Sequence, residues 1–189
     1  VYATKLGNRT VMSSETGNYE YWSRRLDVGS GNVHMLRVMR MKAMMDYPSK
    51  ELYTKKLMES IITKCIIFAN TQAQADRLCK HSYHSGNVDS EDNLRKFKDG
   101  EITKLSTVLQ LNEGVNIPNL KQGIIMHAYG NERKAAQRIG RLLRLNPDDK
   151  AIVHILCYMD SIDEKWVKEA LENFDQTKII WKDFNISLY

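Results

Sequence analysis

From residue 33 onward, apolar positions recur in two alternating rhythms. Between Val33 and Met45, the apolar residues Met35, Leu36, Val38, Met39, Met41, Met44 and Met45 are interleaved with Arg37, Arg40 and Lys42. That spacing predicts a helix. Its five methionines suit either an adaptable groove or a core or interface helix, and the second reading is preferred. Pro48 and Ser49 break the chain and start a second helix through Glu51, Leu52, Leu57, Met58 and Ile61. After residue 64, short apolar runs alternate with helical stretches. Strands are predicted at Cys65–Ala69, Ser82–His84, Leu105–Leu111, Gly123–His127 and Ala151–Tyr158, with a last short one at Ile179–Trp181. Helices are predicted at Gln72–Lys80, Ser90–Phe97 (with Asp89 and Ser90 as capping candidates), Arg133–Leu143 and Ile162–Asn173. Alternation of this kind implies an α/β fold, a parallel sheet with helices on both faces.

The first 30 or so residues follow neither rhythm. They are rich in Gly, Ser, Thr and Asn, with short strand candidates at Val1–Thr4 and Thr10–Met12 around Gly7 and Asn8, and a loop at Gly29–Asn32. No core of their own is evident, so a preceding domain's tail, an extended arm and a small insertion all stay open. Tyr19, Tyr21 and Trp22, beside Arg24 and Arg25, suit stacking on bases or anchoring of the arm. The expected organisation is an extension over residues 1–60, loop-rich and then helical, followed by one domain over residues 61–189.

Composition narrows the classes only modestly. With 189 residues the chain can bury a real core, and its net charge of +5 permits a polyanionic partner without demanding one. No apolar run is long enough to span a bilayer, and no signal-peptide pattern opens the chain. Cys65, Cys79 and Cys157 lack the paired spacing of a metal site. They read as buried free thiols in a reducing, intracellular compartment. Position 1 is Val rather than Met, which suits a piece of a longer protein or a processed amino terminus.

Candidate chemistry concentrates in two kinds of place. The first is the segment Gln137-Arg138-Ile139-Gly140-Arg141-Leu142-Leu143-Arg144. Gln137, Arg141 and Arg144 share a helical face there. Guanidinium forks at that spacing can converge on a phosphate chain, or simply form a solvated basic face. Gly140 costs about 1 kcal/mol against alanine inside a helix, which suggests close backbone packing. The second is the set of loops expected at strand carboxyl ends, where ligands of open parallel sheets gather. Asn70-Thr71, Ser85-Gly86 and Asn112-Glu113-Gly114 fall there. Loops that open helices offer N–H groups to anions, although Asn70, Thr71 and Ser85 also suit plain helix capping. His127 and His154, in apolar strands, read as core histidines. No phosphate-cradling Gly-x-x-x-x-Gly-Lys-Ser/Thr occurs anywhere in the sequence.

Taken in order, these segments resemble the superfamily 2 DNA/RNA helicases. Gln137-Arg138-Ile139-Gly140-Arg141-x-x-Arg144 is similar to their motif VI, Asn112 through Leu120 to motif V, and Lys64 through Thr71 with Ala73–Leu78 to motif IV. Tyr83–Gly86 and Leu94–Glu101 are similar to the segments between motifs IV and V. The resemblance covers about residues 55–157. It implies a second, carboxyl-terminal RecA-like domain. ATP and Mg2+ would be held mainly by a first RecA-like domain carrying the P-loop, in cis or in trans. The resemblance puts Arg141, Arg144 and Gln137 at the transferring phosphoryl group, and Gly114, Asn116 and Arg138 on the nucleotide side. Asn70, Thr71, Ser85, Gly86 and Glu113 would hold one nucleic-acid strand, with DNA favoured over RNA. This chain alone would not hydrolyse ATP. Asn116 stands where the family usually has Asp, and Val108, beside Thr107, stands where it often has Thr. A non-catalytic scaffold of degenerate RecA-like fold therefore remains the alternative. A small-molecule α/β enzyme ranks last, because no glycine-rich cofactor loop or nucleophile–base pair is present.

Overall fold

The computed structural model describes residues 1–6, 9–29, 31–108, 117–127 and 150–184. The chain divides into two compact units, Val1–Ser49 and Lys50–Tyr189.

The first unit pairs strands β1 (Tyr2–Leu6) and β2 (Arg9–Ser13) as an antiparallel hairpin. Two helices follow, α1 (Glu15–Asp27) and α2 (Val33–Met45). The hairpin and α2 match the sequence reading; α1 does not, since that stretch carries no apolar stripe. It forms because Ser14 caps it, accepting from the Gly17 N–H at 3.0 Å, and because its inner side is held by tertiary partners. Trp22 is buried, as are Leu36 and Met44 of α2. Arg40 of α2 donates to the Ser23 hydroxyl at 3.0 Å and lies 5.4 Å from the Tyr19 ring centre. The Tyr47 hydroxyl donates to the buried Asn18 side chain at 3.0 Å. Residues 1–30 thus belong to a unit with buried side chains.

Helix α3 (Pro48–Ser60) leads into the second unit, whose sheet comprises β3 (Cys65–Ala69), β4 (Ser82–Tyr83), β5 (Lys104–Val108), β6 (Gln122–Ile125) and β7 (Ile152–Ile155). The strand order is β4-β5-β3-β6-β7, parallel throughout. Among the described residues, the helices that follow are α4 (Gln72–Leu78), α5 (Ser90–Asp99) and α6 (Ile162–Leu171). Alternate residues of the central strands feed two cores. Ile66, Phe68, Leu105 and Ile125 pack with Leu94 and Phe97 of α5. Cys65, Ile67, Ala69 and Ile124 pack with Ala75 and Leu78 of α4 and with Leu57 and Met58 of α3. A sheet buried on both faces explains why β3 reads as an unbroken apolar run.

The predicted strand at Ile179–Trp181 is not formed. A single 3-10 turn, Gln176–Lys178, occupies the stretch before it, and Ile180 and Trp181 stay exposed. The distal half of the predicted Leu105–Leu111 strand and the Arg133–Leu143 helix lie outside the described residues.

Candidate nucleic-acid interface

The order of the sheet decides where a ligand can sit. From β3 the chain turns toward the β4 edge, whereas β6 is followed by β7 on the opposite side. The direction reverses between β3 and β6, and in open α/β sheets the carboxyl ends flanking such a switch border the binding crevice.

At the end of β3, Asn70 and Thr71 open α4. Thr71 is the N-cap, its hydroxyl oxygen accepting from the Gln74 N–H at 3.1 Å. The Gln74 side chain reaches back to the Asn70 N–H at 2.9 Å. This is a capping box displaced by one residue, so the capping alternative is real for Thr71, while Asn70 contributes its backbone N–H. Capping uses the Thr71 oxygen as an acceptor and leaves its proton as a donor.

The loop after β4 is built more elaborately. Ser85 and Gly86 are exposed, and the residue before them, His84, is buried. The His84 backbone is gripped on both sides by Ser90: its N–H donates to the Ser90 hydroxyl at 3.0 Å, and that hydroxyl donates to the His84 carbonyl at 2.6 Å. The His84 ring accepts the Gly86 N–H at Nδ1, 3.2 Å away, and meets the Asp76 carboxylate through Nε2 at 2.8 Å. The Ser82 hydroxyl also donates to Asp76, at 2.6 Å. These two contacts hold the Asp76 carboxyl below the usual carboxylate range, Ser82 contributing most.

The two loops are joined. Gln72, the first residue of α4, donates through Nε2 to the Ser85 hydroxyl oxygen at 3.1 Å. A Cβ at Gly86 would lie 2.5 Å from the Gln72 Oε1, so glycine there lets Gln72 close over the turn. Thr71 and Ser85 therefore present hydroxyl protons from one braced unit, their oxygens engaged from behind. Uncharged donors of this kind suit an anionic oxygen held by geometry rather than by a point charge.

At the end of β6, the Lys50 ammonium is buried. It donates to the Met126 carbonyl at 2.9 Å, lies 3.3 Å from the His127 Nδ1, pairs with Asp163 at the start of α6, and sits 4.6 Å from the Tyr158 ring centre. Burial, reinforced by the Lys50 charge, pushes the His127 pKa well down, which agrees with a neutral core histidine. His154 is half-buried and bonds to the Gln122 side chain at 3.1 Å.

Of the residues singled out from the sequence, Asn70, Thr71, Ser85 and Gly86 lie at strand carboxyl ends, and the structure brings Ser85 to the helix that Thr71 caps. Glu113, Gly114, Asn116, Gln137, Arg138, Arg141 and Arg144 lie outside the described residues. The Thr107 hydroxyl donates to the Tyr83 carbonyl at 3.0 Å inside the sheet. Val108 packs against the second core. Gln72, Asp76, His84 and Lys50 escaped sequence reasoning. For Lys50 a signal existed: it falls in helical phase with Thr54, Leu57, Met58 and Ile61, on the buried side of α3.

Comparison with known proteins accords with this architecture. A 99-residue stretch is 30% identical to the DNA 3'-5' translocase XPB2 of Sulfurisphaera tokodaii, covering 49% of this chain and 23% of that protein. The chain thus spans about a quarter of the length of that relative. The fold is similar to the Sulfolobus solfataricus SWI2/SNF2 ATPase core in complex with dsDNA, at a TM-score of 0.60 and 14% identity over 86% of this chain and 41% of that one. It is also similar to the C-terminal domain of the DEAD-box protein Dbp5, at 0.56 and 19% identity over 69% and 81%. The profile of the helicase conserved C-terminal domain matches residues 49–146, more than half of the sequence. With its five parallel strands and helices on both faces, the chain belongs to the helicase conserved C-terminal domain family of superfamily 2.

Proposed function

We propose that residues 61–189 are the carboxyl-terminal motor half of an ATP-dependent nucleic-acid helicase or translocase, gripping one strand by its phosphates. The observation that carries this reading is the bridge from Gln72 to Ser85, which makes one donor surface of two loops at strand carboxyl ends. Thr71 and Ser85 donate hydroxyl protons to backbone oxygens, with Asn70, Gly86 and Glu113 completing the contact. DNA is favoured over RNA because the sequence relative is a DNA translocase.

In this reading a separate P-loop domain holds most of ATP and Mg2+, whose chemistry is phosphoryl transfer to water. Arg141 and Arg144 stabilise charge on the transferring group, and Gln137 sets their geometry. Gly114, Asn116 and Arg138 face the nucleotide side. Asn116, uncharged where the family usually has Asp, favours a second reading, a nucleic-acid-binding or protein-interaction scaffold without turnover.

The test of the grip is a titration of this chain with a fluorescent single-stranded oligonucleotide. Binding is expected to be weak, nearly independent of sequence, and reduced as salt rises through counterion release. Ser85→Ala is expected to weaken it. Absence of binding at low salt, or binding indifferent to Ser85, would remove the proposed surface.

A further inference from the structure

We propose that His84 is a positioning residue for strand binding: clamped by Asp76, it holds the Ser85–Gly86 turn in the shape that donates to a phosphate. The inference rests on the grip reading above and names the device that sets its geometry. Any buried imidazole must satisfy its ring nitrogens; what marks His84 is where its partners lie. Here both nitrogens are committed, and to different ends. Nδ1 accepts the N–H of Gly86, two residues along the same turn, at 3.2 Å. That demands a bare Nδ1 and puts the ring proton on Nε2, where it faces Asp76 at 2.8 Å. The imidazole is 3% exposed and the Asp76 side chain 53%, so the clamp runs from the surface of α4 to the inside of the turn. With the His84 backbone held by Ser90, the turn is fixed at its first residue and at its third. Ser85, the residue between, projects outward with Gln72 behind it.

The two ring nitrogens can be separated by substitution. Asn places an oxygen near the Nδ1 position and keeps the acceptor for Gly86; Gln reaches the Nε2 position and keeps only the Asp76 contact. Binding of a single-stranded oligonucleotide by this chain is measured for wild type, His84→Asn, His84→Gln, Asp76→Ala and Ser85→Ala, with thermal melts as folding controls. His84→Gln is expected to weaken binding about tenfold, the scale of one lost hydrogen bond, and His84→Asn about threefold or less. A purely structural role would not distinguish the two by which nitrogen is kept. Asp76→Ala, at a half-exposed position, is expected to weaken binding about threefold and serves if the His84 variants do not fold. If Ser85→Ala loses binding while His84→Gln and Asp76→Ala match wild type, the positioning role is overturned and the grip reading stands. If none of the variants changes binding, the grip reading falls and this inference with it.

Discussion

At the residue scale, the buried Lys50–Asp163 pair shows how a charge can serve the core without adding net stability. Both side chains are almost wholly inaccessible. Such pairs roughly offset their own desolvation, yet removing one partner strands the other. Lys50→Met is therefore expected to cost about 3–5 kcal/mol of unfolding free energy, and adding Asp163→Leu to restore much of it, as read by urea denaturation. An additive double variant would contradict the pairing. His127, against the same ammonium, has its pKa lowered by burial first and by Lys50 second. Below the ordinary histidine value the unfolded chain takes up a proton that folded His127 refuses, so the unfolded state binds more protons and stability drops as the pH is lowered. Half-buried His154 acts in the same direction through burial and the nearby Lys182. Stability should rise from pH 5 to pH 7 by up to about 1.4 kcal/mol per pH unit for each such histidine. His127→Gln should show a shallower rise; an unchanged slope would mean that His127 titrates normally in the folded chain.

At the element scale, helix α4 separates capping from gripping. Thr71 caps the helix through its oxygen, and the grip reading uses its proton. Asp caps at least as well as Thr but donates nothing and repels phosphate. Thr71→Asp should therefore melt within a few degrees of wild type while binding single-stranded oligonucleotide more weakly. Thr71→Ala should lose about 1 kcal/mol of stability. Equal binding by wild type and Thr71→Asp would leave Thr71 as a cap alone. The same element shows what sequence can and cannot reveal. β3 and α4 were legible because Cys65–Ala69 is an unbroken apolar run followed by a capping residue. Helix α1 was not, because its buried positions include the polar Asn18 and its stability comes from tertiary partners. The positions of Asn70, Thr71, Ser85 and Gly86 followed from strand ends. The brace around them did not, because Asp76 and His84 meet across a helix-to-strand connection that spacing does not encode. Lys50 was hidden by its charge, although the phase of α3 put it on the buried side.

At the scale of the whole molecule, the motor reading makes this chain the half that lacks the P-loop. The chain matches a carboxyl-terminal helicase domain over residues 49–146 and carries no P-loop sequence. The purified chain is expected to show no nucleic-acid-stimulated ATP hydrolysis, since its sequence carries no P-loop to cradle the triphosphate. Phosphate release abolished by a substitution within this chain would contradict that expectation. The most direct test of the motor reading uses this chain together with the P-loop domain that reading requires, in cis or in trans. Arginine fingers contribute on the order of 10³ to 10⁵ in rate, and lysine keeps the charge without the planar fork. ATP turnover and strand binding are measured for Arg141→Lys and Arg144→Lys, with Arg95→Ala as a control, because Arg95 is engaged with Asp92, Asp99 and Glu101 on the surface around α5. The account predicts that turnover collapses in both lysine variants while strand binding and the control stay near wild type. Wild-type turnover in both, with strand binding lost, would make the arginines a nucleic-acid patch and contradict the motor reading.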